Sequence, residues 1–321
     1  MNVHRVSEVM LREWRLHASN GSKVFYSEQW ANIFDHSFAR YGVFAQDGRM
    51  VGAFQLFHRR FCGIPIIQNA PCTPVSGPMF KVDAKAPVSI SDSQREVVTA
   101  MAEFLTRRAI GIVRLSLDHS LVDAMPFCWR GFRVTPRYTY QIDLLRSAED
   151  IIRRFSSRRR NDIAKAKRDG LTVHRVQDPC DVAKLVSDTM RFNRAQLSAR
   201  VLDNILYASD RESMSYGFVT KSQDRAIACT FVVHDRNTAY YLLGGYDRTA
   251  RHHGAGALAI VESILEAQRR GLAVFDFEGS MIPDVERFFR GFGGRLAFCL
   301  TVTRAWFPLE CLLKFRYRNL F

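Results

Sequence analysis

Residues 238–280 constrain the fold most, because they combine a strand, a glycine-bearing basic turn, a helix and a second strand. The first strand is predicted over 239–246, and the turn after it carries the pattern Arg251-x-x-Gly254-x-Gly256. The helix is predicted from apolar residues at helical spacing, namely Leu258, Val261, Leu265 and Ala267. A glycine turn at the start of a helix exposes backbone N–H groups backed by the helix dipole. The segment therefore predicts an anion site, most often one for phosphate.

Two kinds of enzyme use such a turn. Gly254-x-Gly256-x-x-Ala259, with an acidic residue about 20 positions further on, imitates a dinucleotide-binding fingerprint. Polar residues 247–253 separate the strand from the glycines, however, and the strand reads as half of an antiparallel hairpin near the end of the chain. These features favour a second interpretation, in which Arg-x-x-Gly-x-Gly resembles the pyrophosphate loop of GNAT-type N-acyltransferases. A turn that only packs a helix against a sheet is the structural alternative.

Three further segments resemble the FemABX-like branch of the GNAT superfamily, a group of two-lobed acyl- and aminoacyltransferases. Residues 276–295, DFEGSMIPDVERFFRGFGGR, are similar to its closing motif, and residues 69–80 are similar to its proline- and glycine-rich first-lobe segment. Residues 156–176 carry the branch's basic helix pattern R-x-x-I-x-K-A-x-x-x-G, here Arg160, Ile163, Lys165, Ala166 and Gly170. The resemblance implies an α/β fold of tandem GNAT-like lobes, each with a mixed, mostly antiparallel central sheet flanked by helices.

The predicted lobes are residues 1–146 and 147–321, with the boundary near Arg146-Ser147. Periodicity and turn signals in the first lobe predict helices and strands over 27–37, 41–46, 50–58, 91–108, 111–117 and 131–145. The same signals in the second lobe predict them over 157–169, 171–176, 181–196, 227–234, 239–246, 273–277 and 298–304. The first lobe repeats the order of the second loosely but has no matching glycine turn, so the phosphate loop is expected only in the second lobe.

Composition narrows the setting of the chain. Seven dispersed cysteines without a C-x-x-C pair indicate reduced thiols, with neither a disulfide framework nor a zinc site. The sequence shows no apolar run of transmembrane length and no signal-peptide core, so we expect a cytoplasmic protein. The formal net charge of +14 favours anionic partners, among them coenzyme A, acyl carrier protein, tRNA, nucleotide-sugars and anionic lipid.

The resemblance implies an acyl-CoA donor and no metal. Its pyrophosphate would be held by the turn residues Arg251, Gly254, Ala255, Gly256 and Ala257. Fem-type aminoacyltransferases usually carry a coiled-coil arm, and no long heptad segment occurs in this chain. Aminoacyl-tRNA and acyl carrier protein are therefore the alternative donors. The acceptor is expected to be an amine, with a cell-envelope or polysaccharide precursor as the family-level expectation.

Transfer of an acyl group to an amine needs a base, because the attacking nitrogen must lose a proton. Glu278 is the first candidate, since it ends the strand beside the predicted turn, and Asp276 is the second. Strand alternation would put both carboxylates on one face, and a buried carboxyl would have a raised pKa. The alternatives for Glu278 are a helix cap near Pro283 or an ion pair with Arg287 or Arg290.

Other candidate residues bind rather than react. Backbone N–H groups near Gly244 and Gly245 are candidates for the oxyanion or the pantetheine, and a β-bulge without a chemical role is the alternative. The candidate substrate contacts are Arg160, Lys165, Tyr240, Tyr246 and Ser76. The densest basic cluster, Arg158, Arg159, Arg160, Lys165 and Lys167, points either to phosphate contacts or to a solvated helix face.

Two other classes of protein are alternatives. A non-catalytic protein on the same fold would use its basic face to hold nucleic acid or membrane, and a nucleotide-dependent oxidoreductase would bind NAD(P). A basic tail helix over 307–320 is predicted either to pack on its own domain or to make a peripheral membrane contact. His252-His253 does not predict a metal site, because neighbouring turn residues diverge and further ligands are missing at suitable spacing.

Overall fold

A computed structural model describes residues 1–34, 37–81, 85–108, 111–193, 197–208, 214–250, 252–279 and 281–316. It divides into two compact units. The first comprises Met1–Arg137 with Phe298–Phe321, and the second comprises Tyr138–Ala297. The division differs from the predicted lobes 1–146 and 147–321, because the last strand of the chain pairs within the first unit.

The elements of the first half are β1 (Asn2–Arg5), α1 (Glu8–Arg15), α2 (Glu28–Asn32), β2 (Phe38–Phe44), β3 (Met50–Phe61), β4 (Ile64–Gln68), β5 (Met79–Phe80), α3 (Pro87–Arg107), β6 (Ile112–Ser116), α4 (Met125–Trp129) and β7 (Arg133–Asp143). Those of the second half are α5 (Ala148–Arg153), α6 (Ser157–Arg168), β8 (Thr172–Arg175), α7 (Pro179–Phe192), α8 (Ala199–Ala208), β9 (Ser215–Ser222), β10 (Arg225–His234), β11 (Thr238–Tyr246), α9 (Ala255–Arg269), β12 (Val274–Asp276), α10 (Pro283–Arg290), β13 (Arg295–Ala305) and α11 (Phe307–Arg316).

The sheet of the first unit has the strand order β1-β2-β3-β4-β6-β13, with the short β5 also paired to β3. All of these pairs are antiparallel except β4 with β6. The crossover between those two parallel strands contains α3, whose predicted apolar face, Val97, Val98, Met101 and Leu105, is buried in the core of this unit.

The sheet of the second unit has the strand order β8-β9-β10-β11-β12-β7. Its pairs are antiparallel except β11 with β12, which are joined by the crossover helix α9. The core lies between this sheet and α9, where Leu258, Val261 and Ala267 are buried as their spacing predicts. Each unit thus has three antiparallel pairs, one parallel pair with a crossover helix, and a last antiparallel pair.

This repeated pattern confirms the predicted fold class of tandem lobes with mixed, mostly antiparallel sheets. The predicted positions of β2, β3, α3, β6, β7, α6, β8, β10, β11, α9, β12 and β13 agree with the structure to within a few residues. The sequence analysis did not find β1, α1, β4, α4, α8 or β9. The predicted helix 27–37 is only Glu28–Asn32 among the described residues, and residue 196 lies outside them.

The tail helix α11 leaves large apolar side chains in solvent. Phe307 is 77% exposed, Leu312 is 67% exposed and Phe315 is 94% exposed, so these side chains do not pack on the domain. Residues 317–320, which complete the predicted tail helix, lie outside the described residues. In the described part of the chain, every helix is too short or too polar to cross a bilayer.

A buried carboxylate organises the loop after β6. Asp118 is fully buried, and its side chain accepts hydrogen bonds from Tyr26 Oη at 2.7 Å and Ser120 Oγ at 2.7 Å, with the Lys23 ammonium 3.9 Å away. Burial by itself would raise the pKa of Asp118, but Lys23 and these hydrogen bonds hold it below its usual range. The folded state therefore favours the ionised carboxylate.

Asp118→Ala is expected to lower the free energy of unfolding by about 3 kcal/mol at neutral pH, since buried donors lose their acceptor. Because the folded pKa lies below the unfolded one, the contribution of Asp118 is complete above the unfolded value. It is lost as the pH falls through the folded value. Urea denaturation at pH 7 and at an acidic pH below the unfolded pKa measures this, with the exposed Asp92→Ala as the control. An equal wild-type-to-variant difference at both pH values would contradict the assignment.

Candidate functional site

A gap opens between the two parallel strands of the second unit. Register pairs of β11 with β12 run from Thr238 with Val274 to Tyr240 with Asp276, whereas β11 itself continues to Tyr246. Its pairing with β10 shifts by one residue at Leu242, which is a β-bulge. Because β11, α9 and β12 form a parallel β-α-β unit, the N-terminus of α9 faces the carboxyl ends of both strands. Ligands bind at this edge in α/β folds.

The first turn of α9 offers backbone donors. Gly254 is the N-cap residue, and no side chain caps the helix. Within the described part of the chain, the N–H groups of Gly256 and Ala257 have no hydrogen-bond partner. Among the described residues, a Cβ atom at Gly256 would have only Phe288 Cζ within 4 Å, at 3.8 Å. The arrangement can hold an anion, as the sequence predicts.

The two glycines of the turn have different roles. A Cβ atom at Gly254 would lie 2.2 Å from the carbonyl oxygen of Asp162 on α6. Gly254 therefore allows the start of α9 to approach the backbone of α6, which is a packing requirement. In the part of the chain that the structure describes, Gly256 has no such neighbour, so its missing side chain leaves room for a ligand there.

His252 braces the turn. Its Nδ1 accepts a hydrogen bond from the N–H of Gly254 at 3.2 Å, and its Nε2 lies 3.0 Å from Asp169 Oδ2 at the end of α6. An Nε2–H tautomer satisfies both contacts, since it donates to the carboxylate and accepts from the amide. The hydrogen bond from Lys165 and then that from His252 lower the pKa of Asp169. These two contacts of His252 fix the backbone that precedes the N–H groups of Gly256 and Ala257.

The end of β11 supplies backbone groups at the gap. The N–H of Asp247 donates to the carbonyl of Ile227 at 2.8 Å, and Gly245 stands opposite Cys229 two residues along the same strand pair, so both amides point toward β10. Since amide direction alternates along a strand, the N–H of Gly244 points to the other edge, where β12 diverges. A Cβ atom at Gly245 would lie 2.5 Å from the carbonyl carbon of Leu185, so this glycine is required for packing against α7.

Glu278 follows β12 at the same edge. Its φ angle is +57°, a left-handed conformation that is unusual for a residue with a side chain, and Gly279 follows with a φ of +69°. The side chain of Glu278 is half-buried. The backbone thus turns directly after the strand and presents Glu278 at the gap beside β11.

Asp276 holds that turn. It is fully buried, and its carboxylate accepts hydrogen bonds from Thr139 Oγ1 at 2.6 Å, Gln141 Nε2 at 2.8 Å and the N–H of Glu278 at 2.8 Å. The strand ends at Asp276 and the backbone of Glu278 is left-handed, so strand alternation does not by itself fix the direction of the Glu278 side chain. That the two carboxylates share one face stays a prediction.

The two arginines considered as ion-pair partners of Glu278 lie near other carboxylates. Arg287 lies 3.9 Å from Asp284, and Arg290 lies 3.4 Å from Glu286, in both cases within α10. The N-cap of α10 is Ile282, without a side-chain cap.

The structure brings only some of the predicted contact residues to the gap. Tyr246 lies at the end of β11 beside the turn, where its N–H donates to Thr189 Oγ1 at 2.9 Å. Tyr240 is buried, with its hydroxyl donating to Asp235 at 2.9 Å. Burial and then the charges of Asp235 and Glu278 raise the pKa of Tyr240, so its hydroxyl lies near Glu278 as well. Ser76 is 1% exposed in the first unit. Arg251 lies outside the described residues.

The basic residues of α6 have structural partners as well. Arg160 donates to the carbonyl of Arg153 at 3.0 Å, and so stabilises the end of α5. Lys165 forms an i,i+4 ion pair with Asp169 at 2.5 Å, with 62% of its side chain exposed. Both side chains lie on the surface, where the solvated-face alternative accounts for them.

Sequence reasoning missed several residues that build the site. Asp169 at the end of α6 holds His252 of the turn, and Thr189 on α7 holds Tyr246 at the end of β11. These roles depend on tertiary contacts between residues more than 50 positions apart. The one available signal was the His252-His253 pair directly before Gly254, which was considered only as a metal ligand.

Comparisons with known proteins agree with this geometry. Residues 153–290 match the family model of the acetyltransferase (GNAT) domain, which includes the turn, the gap and Glu278. This match indicates an acyltransferase. A comparison with curated proteins finds no significant sequence match.

Solved structures extend the likeness to both units. The crystal structure of FemX is 14% identical, with a TM-score of 0.69, and the match covers 98% of this chain and 100% of that chain. A tandem GNAT protein from the clavulanic acid biosynthesis pathway is 12% identical, with a TM-score of 0.56, and the match covers 94% and 98%. The C-terminal domain of a putative lysylphosphatidylglycerol synthetase from Agrobacterium fabrum is 14% identical, with a TM-score of 0.56, and covers 96% of each chain. The chain therefore has the tandem GNAT, FemX-like fold.

Proposed function

We propose that this protein is an N-acyltransferase that moves an acyl group from a CoA thioester to an amine. The observation that carries the proposal is the uncapped first turn of α9. Its N–H groups on Gly256 and Ala257 have no hydrogen-bond partner among the described residues, and the start of α9 lies at the edge where the pairing of β11 with β12 ends. A pyrophosphate on these amides would direct the pantetheine arm along the unpaired edge of β11. The likeness to a GNAT acetyltransferase domain over 153–290 supports the same donor.

The reaction requires little chemistry from the protein. The amine nitrogen attacks the thioester carbonyl, a C–N bond forms, the C–S bond breaks, and CoA leaves as a thiol. The N–H of Gly244 at the open edge of β11 would donate to the oxyanion of the tetrahedral intermediate. Glu278 would take the proton of the attacking amine, directly or through a water molecule. Asp276 acts through its hydrogen bond to the backbone of Glu278, so it is a positioning residue.

The acceptor is proposed to be an amine on a cell-envelope or polysaccharide precursor. Two structural neighbours support this class, since one is named FemX and another is a domain of a putative lysylphosphatidylglycerol synthetase. The net charge of +14 suits the phosphates that such precursors carry.

Isothermal titration of acetyl-CoA tests the donor, with NAD(P) and charged tRNA as competing probes. We expect micromolar binding of acetyl-CoA and no binding of NAD(P). Release of the CoA thiol in the presence of a panel of amines, including amino sugars, then identifies the acceptor. A folded protein that binds charged tRNA but not acetyl-CoA would replace this proposal with an aminoacyl-tRNA donor, which the FemX-like fold also favours.

A further inference from the structure

A basic cavity of about 510 Å³ lies next to the turn in the second unit. It is formed by the first two turns of α6, by α10 from its start to its end, and by His253. Its charged lining residues are Arg158, Arg159, Asp162, Asp284, Arg287 and Arg290. A volume of this size is within the range of small-ligand sites.

The cavity carries an excess of positive charge. Four arginines and two aspartates line it, and Glu286 pairs with Arg290 at 3.4 Å, which leaves a formal charge of +1 without His253. Only one of the aspartates forms a close pair, since Asp284 is 3.9 Å from Arg287 and 91% exposed. Among the described residues, Arg158 has no ion-pair partner within 4 Å. Arg158 and Arg287 are therefore available to an anion.

Arg159 is the one buried arginine among the four that line the cavity. Arg159 is 6% exposed, pairs with Asp162 at 2.9 Å, and stacks over Phe288 at 4.1 Å and Phe292 at 5.2 Å. Its Nε is buried and has no hydrogen-bond partner in the described part of the chain. Asp162 thus satisfies only part of this buried guanidinium, which adds a fixed positive charge to the lining of the cavity.

The cavity is contiguous with the turn on α9. Phe288 lines the cavity and is also the neighbour of the open position at Gly256, 3.8 Å from its built Cβ atom. His253, another lining residue, directly precedes Gly254. A ligand whose pyrophosphate lies on the first turn of α9 would thus reach the cavity with its next group.

We propose that this cavity binds the 3′-phosphate of the CoA donor, an assignment that rests on the proposed function. CoA carries this phosphate monoester on the ribose beyond its pyrophosphate, on the side away from the thioester. The monoester has a charge between −1.5 and −2 at neutral pH, roughly the value for a phosphate ester, which complements the excess of the cavity. The pyrophosphate would then lie on the turn, with the acyl group on one side and the 3′-phosphate on the other.

The test compares CoA with 3′-dephospho-CoA by isothermal titration at one ionic strength. Wild-type protein is expected to bind CoA about tenfold more tightly, which is about 1.4 kcal/mol. In Arg158→Gln/Arg287→Gln this preference should disappear, while 3′-dephospho-CoA binds as it does to the wild type. The double variant should stay folded, because Arg158 opposes the dipole at the start of α6 and Arg287 is 65% exposed. Arg153→Gln/Arg191→Gln, which removes two exposed arginines in i,i+3 pairs elsewhere, is the matched control and should keep the preference.

The outcomes separate the two proposals. Equal binding of CoA and 3′-dephospho-CoA by wild-type protein would overturn the cavity assignment and leave the CoA donor intact. Failure of both ligands to bind a folded protein would overturn the proposed function. Binding of tRNA that is lost in Arg158→Gln/Arg287→Gln, with no preference between the two CoA forms, would assign the cavity to an RNA phosphate instead and overturn the assignment.

Discussion

Gly254→Ala is expected to destabilise the protein by about 3 kcal/mol, a cost typical of severe overpacking. Gly256→Ala is expected to leave stability unchanged or raise it by up to about 1 kcal/mol, because alanine is the better helix residue. The first new methyl group would lie 2.2 Å from the carbonyl oxygen of Asp162, which belongs to the backbone and cannot move aside cheaply. The second would meet only the edge of Phe288 at 3.8 Å.

Donor binding should be weakened more by Gly256→Ala than by Gly254→Ala, the reverse of their order in stability. The methyl group of Gly256→Ala enters the space in front of the free amides, so acetyl-CoA should bind about ten- to a hundredfold more weakly, the effect of about 1–3 kcal/mol of steric cost. Urea denaturation measures the stability of each variant, and isothermal titration measures the affinity. Each variant controls for the other. Normal CoA binding by Gly256→Ala would show that the donor does not approach this turn.

The contrast between the two glycines shows what the sequence carries and what it does not. Helical spacing of apolar residues and a glycine turn predict α9 and an anion site at its start, since both signals are local. Which glycine serves packing and which serves a ligand depends on the approach of α6, about 90 residues earlier in the chain. That approach is a tertiary contact without a local signature.

Two other features were hidden for related reasons. β9 reads SYGFVTKS and is buried at six successive positions, so it has no alternation of polar and apolar residues to mark it as a strand. The pairing of β13 with β6 joins segments about 190 residues apart, and the predicted lobes could not include it. Pairing between distant segments is decided by the assembled core and leaves no periodic signal.

The site around Glu278 was predicted in part. The order strand, acidic residue, glycine placed Glu278 at a strand end, and the structure has it there. Neither its left-handed backbone nor its hydrogen bond to Asp276 could be predicted from the sequence. A residue with a side chain in this conformation costs about 1–3 kcal/mol, and such strain persists mostly where a function requires it.

That strain allows a sharp test of Glu278 as the base. Glu278→Gly should keep or raise the thermal stability, because glycine adopts a φ of +57° without cost. The same change removes the carboxylate, so kcat should fall by about 10²- to 10³-fold, the usual contribution of a general base. Glu278→Gln should lower kcat similarly, with the KM for acetyl-CoA near the wild-type value. Thiol release from acetyl-CoA with the identified amine acceptor gives kcat, and a thermal melt gives stability.

The pH dependence distinguishes a base from a residue that only shapes the turn. With Glu278 present, kcat/KM should fall in acid as its carboxylate is protonated. In Glu278→Gln this dependence should be replaced by that of the acceptor amine, since only molecules that are already neutral can attack. Glu262→Gln, an isosteric change on α9 that removes an ion pair with Arg269, should leave both the rate and the profile unchanged.

Because Asp276 holds the backbone of Glu278, Asp276→Asn should lower stability together with the rate, whereas Glu278→Gly should lower the rate alone. A Glu278→Gly variant with wild-type kcat would show that the amine loses its proton to another group or to water.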